Sequence, residues 1–387
     1  MQDVNIAKTG HFYKIIPNFG MLVYSPFNSL TYAIPVGFTQ QTIDFLNGAN
    51  KVKLPKEIKV PLMLGKKNIK NSAYSSNHLL PDESYWVNYS QPNEIITVNW
   101  FLTGYCNFDC KYCYASDLMY NFVEEPTEKD IERIATQILK LNPLNIVLTG
   151  GEPLLSSHIL LAIKLISRRA GIIIDTNGTI LEDNLLKIIK ENNIVIRISL
   201  DSPRPSQNKK HRQTKKESYN SYNQVLDNII KCSEFGIPII IQTVVSSVNK
   251  NELEEFGEIL IRLGISGWRL LKVQESKLNS SYYNKLMLGR TKKLKDASAQ
   301  IDYQLENIIK IHKKRWSSKI SLQVSKNNMT DRNSVILVSP NGKFWTESKL
   351  QISKNLIDKQ SPEYPDENLI FKKVNSFSHF SRYLNIH

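Results

Sequence analysis

Three of the four cysteines in this sequence of 387 residues lie within one stretch of eight residues, as Cys106, Cys110 and Cys113. Such crowding in a long chain with few cysteines indicates a metal centre rather than a disulfide framework. Three soft thiolates can hold three corners of a [4Fe-4S] cluster and leave the fourth iron open to another ligand. A zinc site is the alternative, and it would need a fourth protein ligand.

A second motif, Thr-Gly-Gly-Glu-Pro at 149–153, follows a short apolar run. Gly150 and Gly151 carry no Cβ and therefore allow another group to approach the backbone closely. Glu152 offers a carboxylate that can face a cationic amine. A plain structural turn is the alternative interpretation of this motif.

The elements that must position these residues form a repeating pattern from about residue 95. Short β-branched runs near 96–102, 145–148, 171–175, 195–200, 238–246 and 267–273 alternate with helical segments. Continuous apolar strands separated by helices predict a parallel sheet, and six such steps predict an α/β fold with a partial (β/α)6 barrel. Both motifs follow strands, and chemistry in such barrels collects at the carboxyl ends of the strands.

The spacing Cx3CxΦC, with Tyr112 at the aromatic position, and the motif at 149–153 together resemble the radical S-adenosylmethionine (SAM) superfamily. The resemblance covers about residues 95–275. It implies one [4Fe-4S] cluster whose open iron chelates SAM, and one-electron cleavage of SAM to methionine and a 5′-deoxyadenosyl radical. It also implies that the backbone at Tyr112 meets the adenine and that Gly150, Gly151 and Glu152 receive the methionine amino group.

The resemblance extends to polar residues at the ends of later strands. Ser199 and Arg212 are expected to contact the SAM carboxylate, which suits the planar guanidinium of arginine. Asp201 or Asn177 is expected to contact the ribose or the network at the strand ends, and Val245 to pack on the adenine. Ordinary capping and surface pairing is the alternative for the polar residues, and a core position is the alternative for Val245.

Within the superfamily, the closest pattern is that of the SPASM-type peptide maturases and sulfatase maturases. Their cysteine-rich extension opens with a hairpin like the one predicted here around Pro340-Asn341-Gly342, after a long basic helix near 290–315. This chain has no cysteine there, so auxiliary clusters cannot form and the C-terminal region at 281–387 is expected to be a cluster-free tail. The remaining cysteine, Cys232, is interpreted as a buried structural thiol rather than a hydrogen donor.

Residues 1–92 are predicted to form a separate N-terminal unit in front of the barrel at 93–280. Strand-like runs at 21–24 and 30–34 predict a hairpin, and Thr39 begins a short amphipathic helix. The unit resembles the leading part of the leader-binding modules of peptide maturases, which bind a peptide as an added strand. A plain packing extension is the alternative. Residues 66–93 are expected to be a polar connector in which Tyr85, Trp86 and Tyr89 pack down.

The formal net charge is +14, and Lys outnumbers Arg about three to one. Nucleic-acid binding is therefore disfavoured, because arginine is the residue preferred for phosphate and base recognition, whereas an acidic peptide would suit dispersed lysines. No apolar run is long enough to span a bilayer and no secretory signal opens the sequence, so the protein is expected to be cytoplasmic and without a membrane partner.

These observations predict a radical SAM enzyme that abstracts a hydrogen from a ribosomally synthesised peptide with a leader, with an external electron donor of the flavodoxin or ferredoxin type. The alternative is a small-molecule or nucleotide radical SAM enzyme, of a viperin-like or cofactor-biosynthesis kind. A non-catalytic iron–sulfur or nucleic-acid-binding protein is a third class. The sequence assigns no catalytic side chain.

Overall fold

The computed structural model describes residues 3–49, 52–66, 95–110, 112–113, 115, 124–215, 221–273, 286–288, 294–324 and 332–347. The strands are β1 (Asn5–Ile6), β2 (Phe12–Ile16), β3 (Gly20–Tyr24), β4 (Thr31–Pro35), β5 (Thr97–Phe101), β6 (Asn145–Thr149), β7 (Gly171–Thr176), β8 (Val195–Ser199), β9 (Ile239–Val245), β10 (Gly267–Lys272), β11 (Ser321–Val324), β12 (Arg332–Val338) and β13 (Phe344–Glu347).

The described helices are α1 (Thr39–Leu46), α2 (Lys56–Met63), α3 (Glu128–Lys140), α4 (Ile159–Ile166), α5 (Asp183–Glu191), α6 (Pro205–His211), α7 (Ser221–Phe235), α8 (Leu253–Arg262) and α9 (Leu294–Ile311). Helix α3 illustrates how the local sequence determines where a helix begins and which of its faces is buried. Thr127 and Asp130 form a reciprocal capping box at its start, and four buried apolar side chains form one face. That face packs against the sheet in the main core cluster.

The barrel is an open sheet of nine strands in the order β11-β10-β9-β8-β7-β6-β5-β12-β13. All neighbours run parallel except β12 and β13, which form an antiparallel hairpin. All six strands predicted for the partial barrel are present. The structure adds β11 beside β10 and places β12 beside β5, so the predicted C-terminal hairpin extends the barrel sheet itself.

Alternate residues of each barrel strand face different partners. On β8, Ile196 and Ile198 belong to the core shared with the helices, whereas Val195 belongs to a second cluster beneath the sheet. By the same alternation, Arg197 and Ser199 point into the concave interior of the barrel, here called the lumen. The lumen is therefore lined by polar residues near the carboxyl ends of the strands.

The N-terminal segment forms a four-stranded antiparallel sheet in the order β1-β2-β3-β4. One face of this sheet packs with residues at the amino ends of the barrel strands, where Leu22 and Tyr24 join Val147 and Ile173 in one cluster. Gly171 makes room for this packing, because a Cβ there would lie 2.3 Å from the Tyr24 ring. The other face packs against α1 and α2. The sheet thus covers the floor of the lumen.

The predicted hairpin of 21–24 with 30–34 is confirmed as β3 and β4. Every residue of β4 is buried although β4 ends the sheet, so the hairpin presents no exposed edge to which a peptide strand could add. Both residues of β1, at the opposite end of the sheet, are exposed. The reason is tertiary packing, because the strand pattern alone cannot say which edge the rest of the chain covers.

The predicted connector at 66–93, with Tyr85, Trp86 and Tyr89, lies almost wholly outside the described residues. Cys232 is fully buried in the core on α7, as the structural interpretation predicts. None of the described helices has both the length and the apolar composition that crossing a membrane would require.

Candidate active site at the mouth of the barrel

The three clustered cysteines lie in the loop that follows β5, called here the cluster loop (residues 103–113). All three cysteine residues are half-buried, and the N–H of Cys113 donates to the carbonyl oxygen of Cys110 at 3.1 Å. Burial raises the pKa of Cys106 to about 11 and that of Cys110 well above its usual range, and a charge on Cys113 adds to both shifts. Bound cations would reverse these shifts, because thiolate ligands are deprotonated by the metal they bind.

Across the described ranges, no three His, Cys, Asp or Glu side chains converge on a position for a single metal ion. In a [4Fe-4S] cluster, each thiolate instead binds a different iron. The donor set of three mutually interacting thiols in one short loop fits such a cluster. Cys106, Cys110 and Cys113 would hold three irons, and the fourth iron would take a ligand from outside the protein.

The motif at 149–153 packs directly against the cluster loop. The N–H of Gly151 donates to the carbonyl oxygen of Thr103, and that of Glu152 donates to the oxygen of Tyr105, both at 2.8 Å. A Cβ on Gly150 would lie 2.5 Å from the Thr103 oxygen, and one on Gly151 would lie 2.1 Å from the Tyr105 oxygen. Both glycines are therefore required because the cluster loop itself approaches their backbone.

The carboxylate of Glu152 is buried and joins the ends of two strands. It accepts hydrogen bonds from the Thr176 hydroxyl (2.7 Å), the Asn177 N–H (2.7 Å) and the Leu154 N–H (3.1 Å). Burial raises the pKa of Glu152 to about 7, although these three donors act in the opposite direction. Glu152 therefore fixes the geometry of β6 and β7, and its contact with the amino group of SAM stays a prediction.

Asn107, which the sequence analysis missed, connects the cluster loop to the end of β7. Its side-chain oxygen accepts a hydrogen bond from Asn177 at 2.7 Å, and its amide donates to Thr179 at 3.0 Å. Two residues further along the cluster loop, the N–H of Asp109 donates to the carbonyl oxygen of Gln213 at 2.7 Å. The only signal in the sequence is the position of Asn107 directly after Cys106.

The aromatic residue of the cysteine motif belongs to a buried polar network. The hydroxyl of Tyr112 donates to Asp201 Oδ2, and Arg212 Nη1 donates to the Tyr112 hydroxyl oxygen, both at 2.7 Å. His211 Nδ1 lies 3.6 Å from the same Asp201 oxygen, and its Nε2 lies 2.8 Å from the Ser246 hydroxyl. The sequence analysis predicted Asp201 and Arg212 but neither His211 nor Ser246 as site residues.

Asp201 is charged in this network. Burial alone would raise its pKa, but His211, Arg212 and Tyr112 outweigh burial and hold the pKa below its usual value. The N–H of Val244 also donates to Asp201 Oδ1 at 2.8 Å. The Arg212 guanidinium stands 5.4 Å above the centre of a ring in the cluster loop, that of Phe108. Asp201 therefore links β8, β9 and the cluster loop.

Two predicted residues lie apart from these contacts. Ser199 is the last residue of β8, is partly exposed and faces the lumen. Val245 is fully buried in the core shared with the helices, whereas Val244 lies on the opposite, lumen-side face of β9 by strand alternation and is only half-buried, although it also packs against that core. Contact of Val245 with adenine therefore stays a prediction, and Val244 is the residue of β9 that the geometry favours for it.

Polar side chains line the lumen below the mouth. Arg197 and Asp175 form a two-point ion pair, with Nη2 to Oδ2 at 2.7 Å. Arg269 Nη1 donates to Gln242 Oε1 at 3.0 Å, and both of these side chains are partly exposed. A cavity with a few fixed polar groups is typical of a site that orients a substrate.

Residues 100–260 match the family model of the radical SAM superfamily. The chain is 30% identical over 185 residues to a GTP 3′,8-cyclase of Aquifex aeolicus, covering 46% of this chain and 56% of that protein. It is 30% identical over 211 residues to an uncharacterised protein of Methanocaldococcus jannaschii, covering 49% and 70%. It is 28% identical over 264 residues to an S-adenosylmethionine-dependent nucleotide dehydratase of Lacinutrix mariniflava, covering 65% and 51%. The chain thus spans just over half the length of the two relatives with named activities.

The fold is similar to that of Streptococcus suis SuiB, with a TM-score of 0.58, 14% identity and coverage of 97% of this chain and 89% of SuiB. It is also similar to anSMEcpe with bound AdoMet, with a TM-score of 0.52, 14% identity and coverage of 65% and 71%. The similarity to SuiB includes the regions on both sides of the barrel. Together with the cysteine and glycine motifs at the mouth of the barrel, these matches establish that the chain belongs to the radical SAM superfamily, whose members are enzymes that use a [4Fe-4S] cluster and S-adenosylmethionine.

Proposed function

We propose that this enzyme modifies a ribosomally synthesised peptide by abstracting a hydrogen from one of its carbons. The observation that carries the proposal is the similarity to SuiB over nearly the whole chain, because SuiB is also known in a structure bound to a precursor peptide, SuiA. That similarity covers 100% of this chain and 91% of SuiB.

In this proposal, the three thiolates hold the cluster and the mouth of the barrel holds SAM. When bound, the cluster would supply the one electron that cleaves SAM to methionine and a 5′-deoxyadenosyl radical. Ser199 and Arg212 bind the SAM carboxylate, and the backbone of Gly150 and Gly151 receives the amino group. Tyr112 holds the cluster loop in place from the adenine side. That radical would take a hydrogen atom from a substrate carbon, which would give 5′-deoxyadenosine and a carbon-centred substrate radical.

The lumen would orient the peptide segment that reacts. Gln242 and Arg269 present an amide and a guanidinium to the open part of the lumen. The Asp175–Arg197 pair lies lower on the adjacent strands β7 and β8. Such groups can bind peptide carbonyl oxygens and acidic side chains. The floor made by the N-terminal sheet sets the depth to which a side chain can enter.

The leader of the peptide would add to the exposed edge of the N-terminal sheet at β1. The N–H of Ala7 donates to the His11 carbonyl oxygen at 2.8 Å, so Ala7 and His11 form a hydrogen-bonded pair. The adjacent pair, Ile6 opposite Phe12, is therefore a non-hydrogen-bonded pair of the antiparallel ladder, and the N–H and C=O of Ile6 point away from β2. The Ile6 side chain is 46% exposed and offers an apolar contact. Dispersed lysines would attract an acidic leader, with an affinity that falls as salt rises.

The test is to incubate the anaerobically reconstituted enzyme with SAM, a reductant and synthetic peptides encoded by short reading frames beside its gene. One of these peptides is expected to change mass and to stimulate formation of 5′-deoxyadenosine, and a deuterated peptide should pass deuterium to that product. The parallel arms contain GTP and CTP. Stimulation by a nucleotide, with no peptide modified, would overturn the proposal.

Ile6→Pro tests the leader site, because proline removes the outward N–H but no N–H bonded to β2. We expect weaker use of the full precursor and unchanged use of a leaderless core peptide. Ile6→Ala is the matched control, since it keeps the N–H. Deleting residues 1–60 is a poorer test, because the deletion would uncover the apolar floor of the barrel.

A nucleotide substrate is the second candidate, and the sequence relatives favour it. Two of the proteins that match this chain are named as a GTP 3′,8-cyclase and a nucleotide dehydratase. Arg269 could bind a phosphate in the same lumen. The GTP and CTP arms of the experiment above decide between the two candidates.

A further inference from the structure

A basic surface lies beside the cluster loop on the outside of the barrel. Lys209 and Lys210 are exposed in the last turn of α6, and Lys215 is exposed just beyond it. The ammonium group of Lys215 stands 5.3 Å from the centre of the Tyr105 ring, and Tyr105 is 58% exposed. These four residues are called here the cluster-side surface.

This surface is joined to the cysteines through very few bonds. Tyr105 directly precedes Cys106 in the sequence. The N–H of Lys215 donates to the carbonyl oxygen of Asn107 at 3.1 Å, and Asn107 directly follows Cys106. A single antiparallel bridge between Phe108 and Thr214 continues this contact along the loop. A molecule seated on the surface would therefore lie within a few bonds of the metal ligands.

The chemistry of the family needs one external electron at this cluster. The 387 residues contain four cysteines, and the fourth, Cys232, is buried in the core on α7. The sequence thus has no cysteines for a second cluster that could receive the electron elsewhere and relay it. Within these residues the electron therefore enters at the cluster loop itself, and the rate of electron transfer falls steeply with distance.

We propose that the cluster-side surface is the docking site for an acidic one-electron carrier protein of the flavodoxin or ferredoxin kind. The carrier loses one electron and the cluster gains it. Its three exposed lysines outnumber the two exposed acidic residues described at the cluster loop, Asp109 in the loop and Glu125, which accepts a hydrogen bond from Thr103, so the surface attracts a negatively charged partner. The exposed Tyr105 supplies the aromatic contact typical of interfaces. Redox encounters need only a small interface of this type. The proposal rests on the family membership and does not require a peptide substrate.

The test compares two reductants of the reconstituted holoenzyme in anaerobic stopped-flow measurements, with the cluster absorbance as the readout. Reduced flavodoxin must dock, whereas dithionite is a small molecule that need not. With reduced flavodoxin at low salt, the cluster should be reduced at least about tenfold more slowly in Lys215→Glu and in the double variant Lys209→Glu/Lys210→Glu than in the wild type. A change of this size lies within the range that electrostatic steering supplies. Added salt should slow the wild type and bring it towards the variants. Dithionite should reduce all of these proteins at the wild-type rate.

Lys187→Glu/Lys190→Glu is the matched control, because both lysines are exposed on α5, away from the cluster loop. This control changes the net charge by the same amount as the double variant, and its cluster should be reduced at the wild-type rate by both donors. Equal flavodoxin rates in the control and the surface variants would overturn the proposal. Equal slowing with dithionite would also overturn it, because the lysines would then act on the cluster rather than on docking. No SAM or substrate is present, so the result is independent of the proposed function.

Discussion

The hydroxyl of Tyr112 lies 2.7 Å from a carboxylate oxygen of Asp201, although the two residues are 89 positions apart. Tyr112 directly precedes the last cysteine of the cluster loop, and Asp201 follows β8, three strands away from β5. The bond therefore spans the mouth of the barrel. Because Arg212 donates to the same hydroxyl, one phenol holds a carboxylate and a guanidinium beside the metal ligands.

Removing this hydroxyl should loosen the cluster loop without removing any ligand. In Tyr112→Phe, buried Asp201 loses a donor and Arg212 loses an acceptor, which typically costs about 1 to 3 kcal/mol. We expect a lower midpoint of thermal unfolding with nearly normal iron content after reconstitution. Tyr303→Phe is the control, since that ring is 66% exposed on α9. An unfolding midpoint equal to that of the control would show that the network adds no stability.

The three cysteines should account for all of the bound iron. After anaerobic reconstitution, iron and sulfide should each approach about four per chain, as expected for one [4Fe-4S] cluster. Replacing Cys106, Cys110 and Cys113 together by Ala should abolish the brown chromophore and SAM cleavage. Cys232→Ala should keep both. A count of about eight irons per chain would contradict the single-cluster prediction.

Arg212 should matter for SAM affinity beyond its contact with Tyr112. In the proposed function Arg212 binds the SAM carboxylate, so Arg212→Ala would remove a charge-assisted contact worth roughly 1.5 to 3 kcal/mol, and SAM affinity should fall on the order of tenfold to a hundredfold while the cluster absorbance persists. Tyr112→Phe keeps the guanidinium and should lose less affinity. Arg262→Ala, an exposed arginine of α8, is the control. Anaerobic calorimetric titration measures all three, and wild-type affinity in Arg212→Ala would reject the carboxylate contact.

The N-terminal sheet should weaken in mild acid because of His11. This ring is fully buried, with Nε2 donating to the Leu62 carbonyl oxygen at 2.9 Å, and burial lowers its pKa to about 4. The unfolded chain therefore binds a proton near pH 6.5 that the folded chain does not bind, so stability is full above pH 6.5 and falls as the pH decreases towards 4. The loss reaches at most about 3 kcal/mol.

The measurement is thermal unfolding of the wild type and of His11→Gln between pH 4 and 8. Glutamine does not titrate, so the variant should lose less stability than the wild type as the pH falls from 6.5. His158→Gln, which changes a histidine outside the N-terminal sheet, is the control. Parallel pH profiles for the wild type and His11→Gln would show that another group sets the acid sensitivity.

The sequence by itself determined the parts that depend on local spacing. The cysteine motif, the glycine motif and six strands alternating with helices were all readable, because soft ligands must be close in the chain and strands and helices have different periods. These features were sufficient to predict the superfamily, the cofactors and the face of the barrel that carries the site.

Only the tertiary structure decided which side chains meet. Strand β9 is apolar on both faces at its carboxyl end, so its sequence could not say whether Val244 or Val245 faces the lumen. The contact of Asn107 with Asn177 joins residues 70 positions apart, and no local pattern encodes such a pair. The same holds for β11 and for the β12–β13 hairpin, which lie at the two ends of the barrel sheet, and for the buried edge of β4, because pairing and burial there depend on what the rest of the chain brings beside them.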